Sequence, residues 1–178
     1  MTEEFERSFN EHMKFSDALR DQSHLGVVLI SAAYIDDKVG RIIDAFLVED
    51  RVRNDLFRGP QAPIGSFSSR INLAYAMALI SEREFTSISA MRKIRNKFAH
   101  NIDASFEDQS IRSHLDALAW CVGNDSLGNS GAFFVFRMAA EMIGMQLLNR
   151  VDHVQNARLV DREWDQKRTD FDPDYDPY

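Results

Sequence analysis

The sequence predicts an all-α fold, a single-domain bundle of five to seven helices, on three observations. Apolar residues recur at steps of three and four over long stretches, no segment alternates with period two, and only 4 prolines and 8 glycines punctuate a chain that carries 13 phenylalanines. At 178 residues and 44% hydrophobic, the chain can bury one real core and is too short for a comfortable two-domain enzyme.

Each element has its own justification. Phe5, Phe9 and Met13 share a four-step row among charges, giving a first helix over Glu3–Asp21. Leu25, Val28, Leu29, Ala32, Ile35, Val39, Ile42, Ile43 and Phe46 give a strongly amphipathic second helix between Ser23 and Glu49, with Ser23 as its cap. Residues 57–65 hold two of the four prolines and two of the eight glycines, so they form a loop, and a helix restarts near Ser66 or Ser68. Ile71, Leu73, Ala74, Met77 and Ile80 are its buried stripe. Ser81 and Glu84 have the spacing of a capping box that starts the next helix, whose stripe of Phe85, Ile88, Met91, Ile94 and Phe98 stops at His100–Asn101. Ser105–Asp108 caps a helix running through Ile111, Leu115, Leu118 and Val122. After a Gly/Asn/Ser loop over 123–131, Ala132 to about Arg168 is expected as one or two long helices. The helical domain is thus placed at 1–168. Residues 169–178, with four aspartates, two prolines and no base, are an acidic Pro/Asp/Tyr tail expected to be mobile or laid along the surface.

Composition limits the function. A net charge of -7 and a pI near 5.2 exclude a domain held on a phosphate backbone by a broad positive surface, so nucleic-acid contact must be local. One cysteine, Cys121, allows no intrachain disulfide and no thiolate cluster. The acidic start Met1-Thr2-Glu3-Glu4 does not resemble a secretion signal, and Arg137, Glu141 and Gln146 interrupt the most apolar stretch, so a cytoplasmic, non-membrane protein is expected. His114 and Cys121 share a face but are two ligands without a third, and no loop has a nucleotide-binding pattern; no metal and no cofactor are expected.

The densest signal is Arg92-Lys93-Ile94-Arg95-Asn96-Lys97-Phe98-Ala99-His100, four cations in six residues followed by a histidine near a helix end. At about 100° per residue, Arg95 falls in the apolar sector with Ile88, Met91 and Phe98, while Lys93 and Lys97 face away. A half-buried guanidinium needs an acceptor, and Asp36 or Asp37 is the expected supplier. Asn96 and His100 share a face and can act together on a ligand or partner. Ser66, Ser68 and Ser69 beside Arg70 can hold an anion at a helix start, or simply cap it.

The segment Arg95–His100 fits the Arg-x4-6-His motif of the HEPN superfamily of helical domains, with its polar residue after the Arg. That resemblance implies a dimeric, metal-independent ribonuclease in which Arg95 stabilises transition-state phosphate charge and His100 is general acid or base, Asn96 sitting between them. The competing structural reading has Arg95 and His100 tying helices together. A longer resemblance joins Leu56-Phe57-Arg58-Gly59-Pro60, Ile64 to Met77, and Ile94 to His100, in that order within about residues 25 to 120. These blocks resemble the mannitol operon repressor (MltR) family, which is all-helical and lacks a recognised DNA-binding motif. Gly59, Pro60, Ser66, Ser68 and Arg70, which lie in these blocks, and the basic residues Arg92, Lys93 and Lys97 are the candidates for ligand or partner binding. The acidic tail and the inserted Gln61-Ala62-Pro63 depart from that pattern.

The helix after Gly131 has Arg137 alone among its first residues, so no major-groove reader is evident and direct operator binding is not expected. The first reading is therefore a non-enzymatic transcriptional regulator of that family, working through protein contacts as a homodimer with another regulatory protein as partner. The alternative is a HEPN-type ribonuclease or RNA-binding module using the Arg92–His100 patch.

Overall fold

The structure, a computed structural model, describes residues 3–121 and 131–161. The helices are α1 Glu3–Ala18, α2 His24–Phe46, α3 Arg51–Phe57, α4 Phe67–Ala76, α5 Glu82–His100 and α6 Gln109–Leu115. A 3-10 segment Asp116–Cys121 follows, then α7 Ala132–Gln146 and α8 Arg150–Gln155. Among the described residues there is no strand, and the fold is an all-α bundle. The expected helix end beyond Asp161, the acidic tail 169–178, Val122 and most of the Gly/Asn/Ser loop lie outside the described residues.

The bundle is organised around α2, the longest helix among the described residues. It packs against α1, α4, α5, α7 and α8 and leaves exposed the face that carries Leu25, Leu29, Ala33, Asp37 and Arg41. Val27, Val28, Ile35, Val39, Ile42 and Ile43 are completely buried, each contributing roughly 1.5–3 kcal/mol of hydrophobic stabilisation. Ile88, Met91 and Ile94 of α5 and Val135, Phe136, Ala139 and Ile143 of α7 complete the core.

Two caps form as the sequence signals them, while Asp108 at the start of α6 makes no side-chain cap bond and instead accepts from Ser105 N at 3.0 Å. Ser23 Oγ accepts from Gly26 N at 3.1 Å. The box at α5 is reciprocal: Glu84 N donates to Ser81 Oγ at 3.3 Å and Ser81 N to Glu84 Oε2 at 2.7 Å. Acids in the first turn of α5 and Lys97 and His100 in its last complement the helix dipole.

Three elements differ from expectation. The helix after Asp108 tightens to 3-10 from Asp116: the Ala117 carbonyl accepts from the Ser87 hydroxyl at 2.9 Å, and Trp120 Nε1 donates to the same Ser87 Oγ at 2.7 Å. Residues 51–57 add α3, whose seven residues are too few to show a period. Of the one or two long helices expected from Ala132 toward Arg168 there are two, separated at Leu147–Asn149, and the second is short and ends at Gln155. Beyond it, Arg158 Nε donates to the Ala45 carbonyl at 3.0 Å and Leu159 N to the Phe46 carbonyl at 2.8 Å, so the chain leaves helical form to satisfy orphan carbonyls at the end of α2.

Candidate functional site

The 18 residues from Phe85 to Ile102 contain no acid in a chain with 28. Ile88, Met91, Ile94 and Phe98 turn α5 into the core and leave its cations on the outer side. Lys93, Arg95, Lys97 and His100 are exposed, whereas Arg92 and Asn96 are half-buried. Among the described residues, none of Arg92, Lys93, Arg95 and Lys97 is paired with a carboxylate. His114, on α6, extends this basic face: burial, with Lys93 and Lys97 nearby, holds its pKa below the ordinary imidazole value. No spacing in the sequence signals that neighbourhood, because α6 is brought to α5 only by tertiary packing.

A cleft of about 450 Å³ opens between α2, the start of α4 and α5. Asp36, Ser66, Ser68, Arg92, Arg95 and Asn96 line it, over a wall of Leu29, Ala32, Ala33 and Phe67. Residues from distant blocks of the sequence therefore converge here. Ser66 starts α4 as its cap, accepting from Ser69 N at 3.0 Å and lying 2.8 Å from the Ser69 hydroxyl. Arg70 fixes this helix start: Nε donates to the Ile64 carbonyl at 3.0 Å, Nη1 meets Asp36 Oδ1 at 2.9 Å, and the guanidinium lies over the Phe57 ring. Burial pushes the Asp36 carboxyl above its ordinary pKa, opposed by Arg70.

These contacts correct the expectation for Arg95. It is exposed, and its Nη1 donates to Asn96 Oδ1 at 3.1 Å rather than to Asp36 or Asp37. Asp36 is taken by Arg70, and Asp37 pairs with Arg41 Nε at 2.8 Å. Both acids do pair with arginine, but not with that one. The apolar sector of α5 faces the cleft at the level of Arg95 rather than a packed helix, so the long side chain reaches solvent.

The remaining candidates are separated from the cleft. Gly59, whose φ of +104° favours glycine, and Pro60 lie exposed on the loop before α4. Lys93, Lys97 and His100 do not line the cleft, and among the described residues His100 has no hydrogen-bond partner. Neither Arg95 nor His100 ties α5 to another described helix.

Elsewhere, a broader groove of about 1140 Å³ lies beside Ser81–Glu84, Trp120 and Arg150. Two of its cations are engaged internally: Arg150 pairs with Glu84, and Arg83 lies 5.3 Å from the Trp120 ring centre. Burial raises the Cys121 thiol to about 11, which keeps it from being a thiolate at neutral pH. Among the described residues no three His, Cys, Asp or Glu side chains gather as a metal site, and no helix is long and apolar enough to cross a membrane. No protein-family model, curated protein or solved structure matches the chain.

Proposed function

We propose that the chain is a non-enzymatic transcriptional regulator of the mannitol operon repressor kind, acting through protein contacts made by the basic face of α5. The observation that carries this reading is that Arg92, Lys93, Arg95 and Lys97 stand without acidic partners among the described residues, in a chain of charge -7. Like charges crowded on one helix repel and weaken the fold, so their retention suits an acidic surface on another protein. Their local extent is too small for operator DNA held by bulk charge. A homodimer is the proposed working form, supported by the exposed apolar side chains Met13 on α1 and Phe134, Met142 and Met145 on α7. The test is genetic: transcripts altered by deleting the gene should return with the wild-type chain and not with a folded variant carrying Arg92→Ala, Lys93→Ala and Lys97→Ala. Full rescue by that variant overturns the reading.

A second reading, a HEPN-type ribonuclease or RNA-binding module, is favoured by one observation: Arg95 and His100 are both exposed on the same helix and neither is consumed by a contact to another described helix. In this reading Arg95 meets the phosphate and His100 moves the proton, with Asn96 orienting Arg95. RNA cleavage by the purified chain in EDTA, lost in folded Arg95→Ala and His100→Ala variants, would establish it in place of the first.

A further inference from the structure

We propose that the cleft between α2, α4 and α5 binds a small phosphomonoester, with Arg92 and Arg95 as its anion clamp and Asn96 and Ser68 as neutral donors. The inference does not require the chain to be a regulator, because Lys93, Lys97 and His100 lie outside the cleft.

Three observations carry it. The first is charge. Asp36, the acid of the cleft, is already met by Arg70 at 2.9 Å, so Arg92 and Arg95 leave an uncompensated positive charge there. Two guanidiniums three residues apart on one helix repel each other, and an anion between them relieves that repulsion. The second is preorganisation: Asn96 Oδ1 accepts from Arg95 Nη1 at 3.1 Å, which holds the guanidinium and leaves the amide's own N–H groups to donate. The Ser68 hydroxyl also has no partner among the described residues. The third is size. The cleft's volume of about 450 Å³ lies in the range of small-ligand sites, and a wall of Leu29, Ala33 and Phe67 can cover a ligand's body but not a polymer's continuing backbone. Two forks match the several oxygens of a phosphate dianion, whereas one fork is enough for a carboxylate.

The experiment is a calorimetric titration of the full chain with inorganic phosphate and with glycerol phosphate, using acetate and glycerol as controls. Saturable one-to-one binding of the two phosphates, with the controls silent, is expected. Arg92→Gln and Arg95→Gln, with folding checked by circular dichroism, should each weaken it by about tenfold or more, the scale of one lost charge-assisted fork. Lys93→Gln removes the same charge from the same helix outside the cleft and should change affinity by less than twofold. Equal weakening by Lys93→Gln, or no saturable binding, overturns the proposal. So does a single-stranded oligoribonucleotide that binds and is not displaced by glycerol phosphate, which would assign the arginines to RNA. Phosphate binding by the wild-type chain together with full transcriptional rescue by the triple variant would sink the regulator reading and leave this site standing.

Discussion

Arg150 closes on Glu84 across 66 residues of sequence, Nη2 to Oε1 at 2.8 Å, while the other oxygen of the same carboxylate accepts the Ser81 cap. The carboxylate is almost completely buried, so helix start and ion pair share one desolvated charge. Arg150 also donates to the Leu79 carbonyl at 2.8 Å, joining α8 to the turn between α4 and α5.

Removing the arginine should therefore be costly. Arg150→Met leaves the Glu84 charge buried without its counter-ion and should destabilise the fold by about 3 kcal/mol, the low end for such pairs because Arg150 is partly exposed. Urea unfolding reads the change. Glu84→Gln in the same background should recover part of the loss, and purely additive effects would contradict the shared-charge account.

Stability should fall in mild acid. His12 is buried between Tyr34, its Nδ1 3.3 Å from the hydroxyl, and Glu141, its Nε2 3.6 Å from a carboxylate oxygen. Burial holds its pKa below the ordinary 6.5, with Lys38 adding to the shift and Glu141 opposing it. A base with a depressed folded pKa binds fewer protons folded than unfolded, so this contribution is complete above pH 6.5 and is lost as pH falls through the folded value. The denaturation midpoint should decline from pH 7 to pH 5, and His12→Gln should flatten that decline. An unchanged slope would assign the acid sensitivity to another group. Glu11, held below its ordinary 4.5 by Lys38 and Arg41 against the effect of burial, acts in a lower window and should keep its share in the variant.

Gly144 is where α7 passes the rings of α1 and α2. A methyl group there would sit 3.0 Å from His12 Cε1 and 3.0 Å from Tyr34 Cε1, and Tyr34 is stacked on Phe15 at 4.0 Å. Because the rings have little room to retreat, Gly144→Ala should cost about 1–3 kcal/mol despite its better helix propensity. A rise in melting temperature would show that the rings move freely.

Arg70 and Arg95 should separate by assay. Arg70→Gln removes the partner of Asp36 and of the Ile64 carbonyl, and should destabilise by about 1–3 kcal/mol. Arg95→Gln, exposed and bonded only to Asn96 among the described residues, should stay within about 0.5 kcal/mol of wild type in urea. A large loss of stability in the second variant would make Arg95 a structural residue.

The all-α class, the Ser81–Glu84 box and the pairing of Asp36 and Asp37 with arginines were legible because each depends on spacing within a helix or on a cost that any fold must meet. The identity of the partners was not. Helix phase places Arg95 in the apolar sector, but phase does not reveal whether a neighbouring helix is packed at that level or has left a cleft. The cleft depends on Ser68 of one helix and Arg92 and Asn96 of another lining the same space, and no spacing encodes that arrangement. The 3-10 turn at Asp116 was hidden for a similar reason, since Ser87 comes from a different helix.

The bond from Arg158 to the Ala45 carbonyl bears on how the chain is made. The two residues are 113 apart, so the central helix acquires this closure only after Arg158 has been made. Until then the carboxyl end of that helix has water as its partner, and closing so long a loop is slow relative to local helix formation. During synthesis the central helix is therefore a scaffold with a free end, and a segment made long after it is the one that locks it.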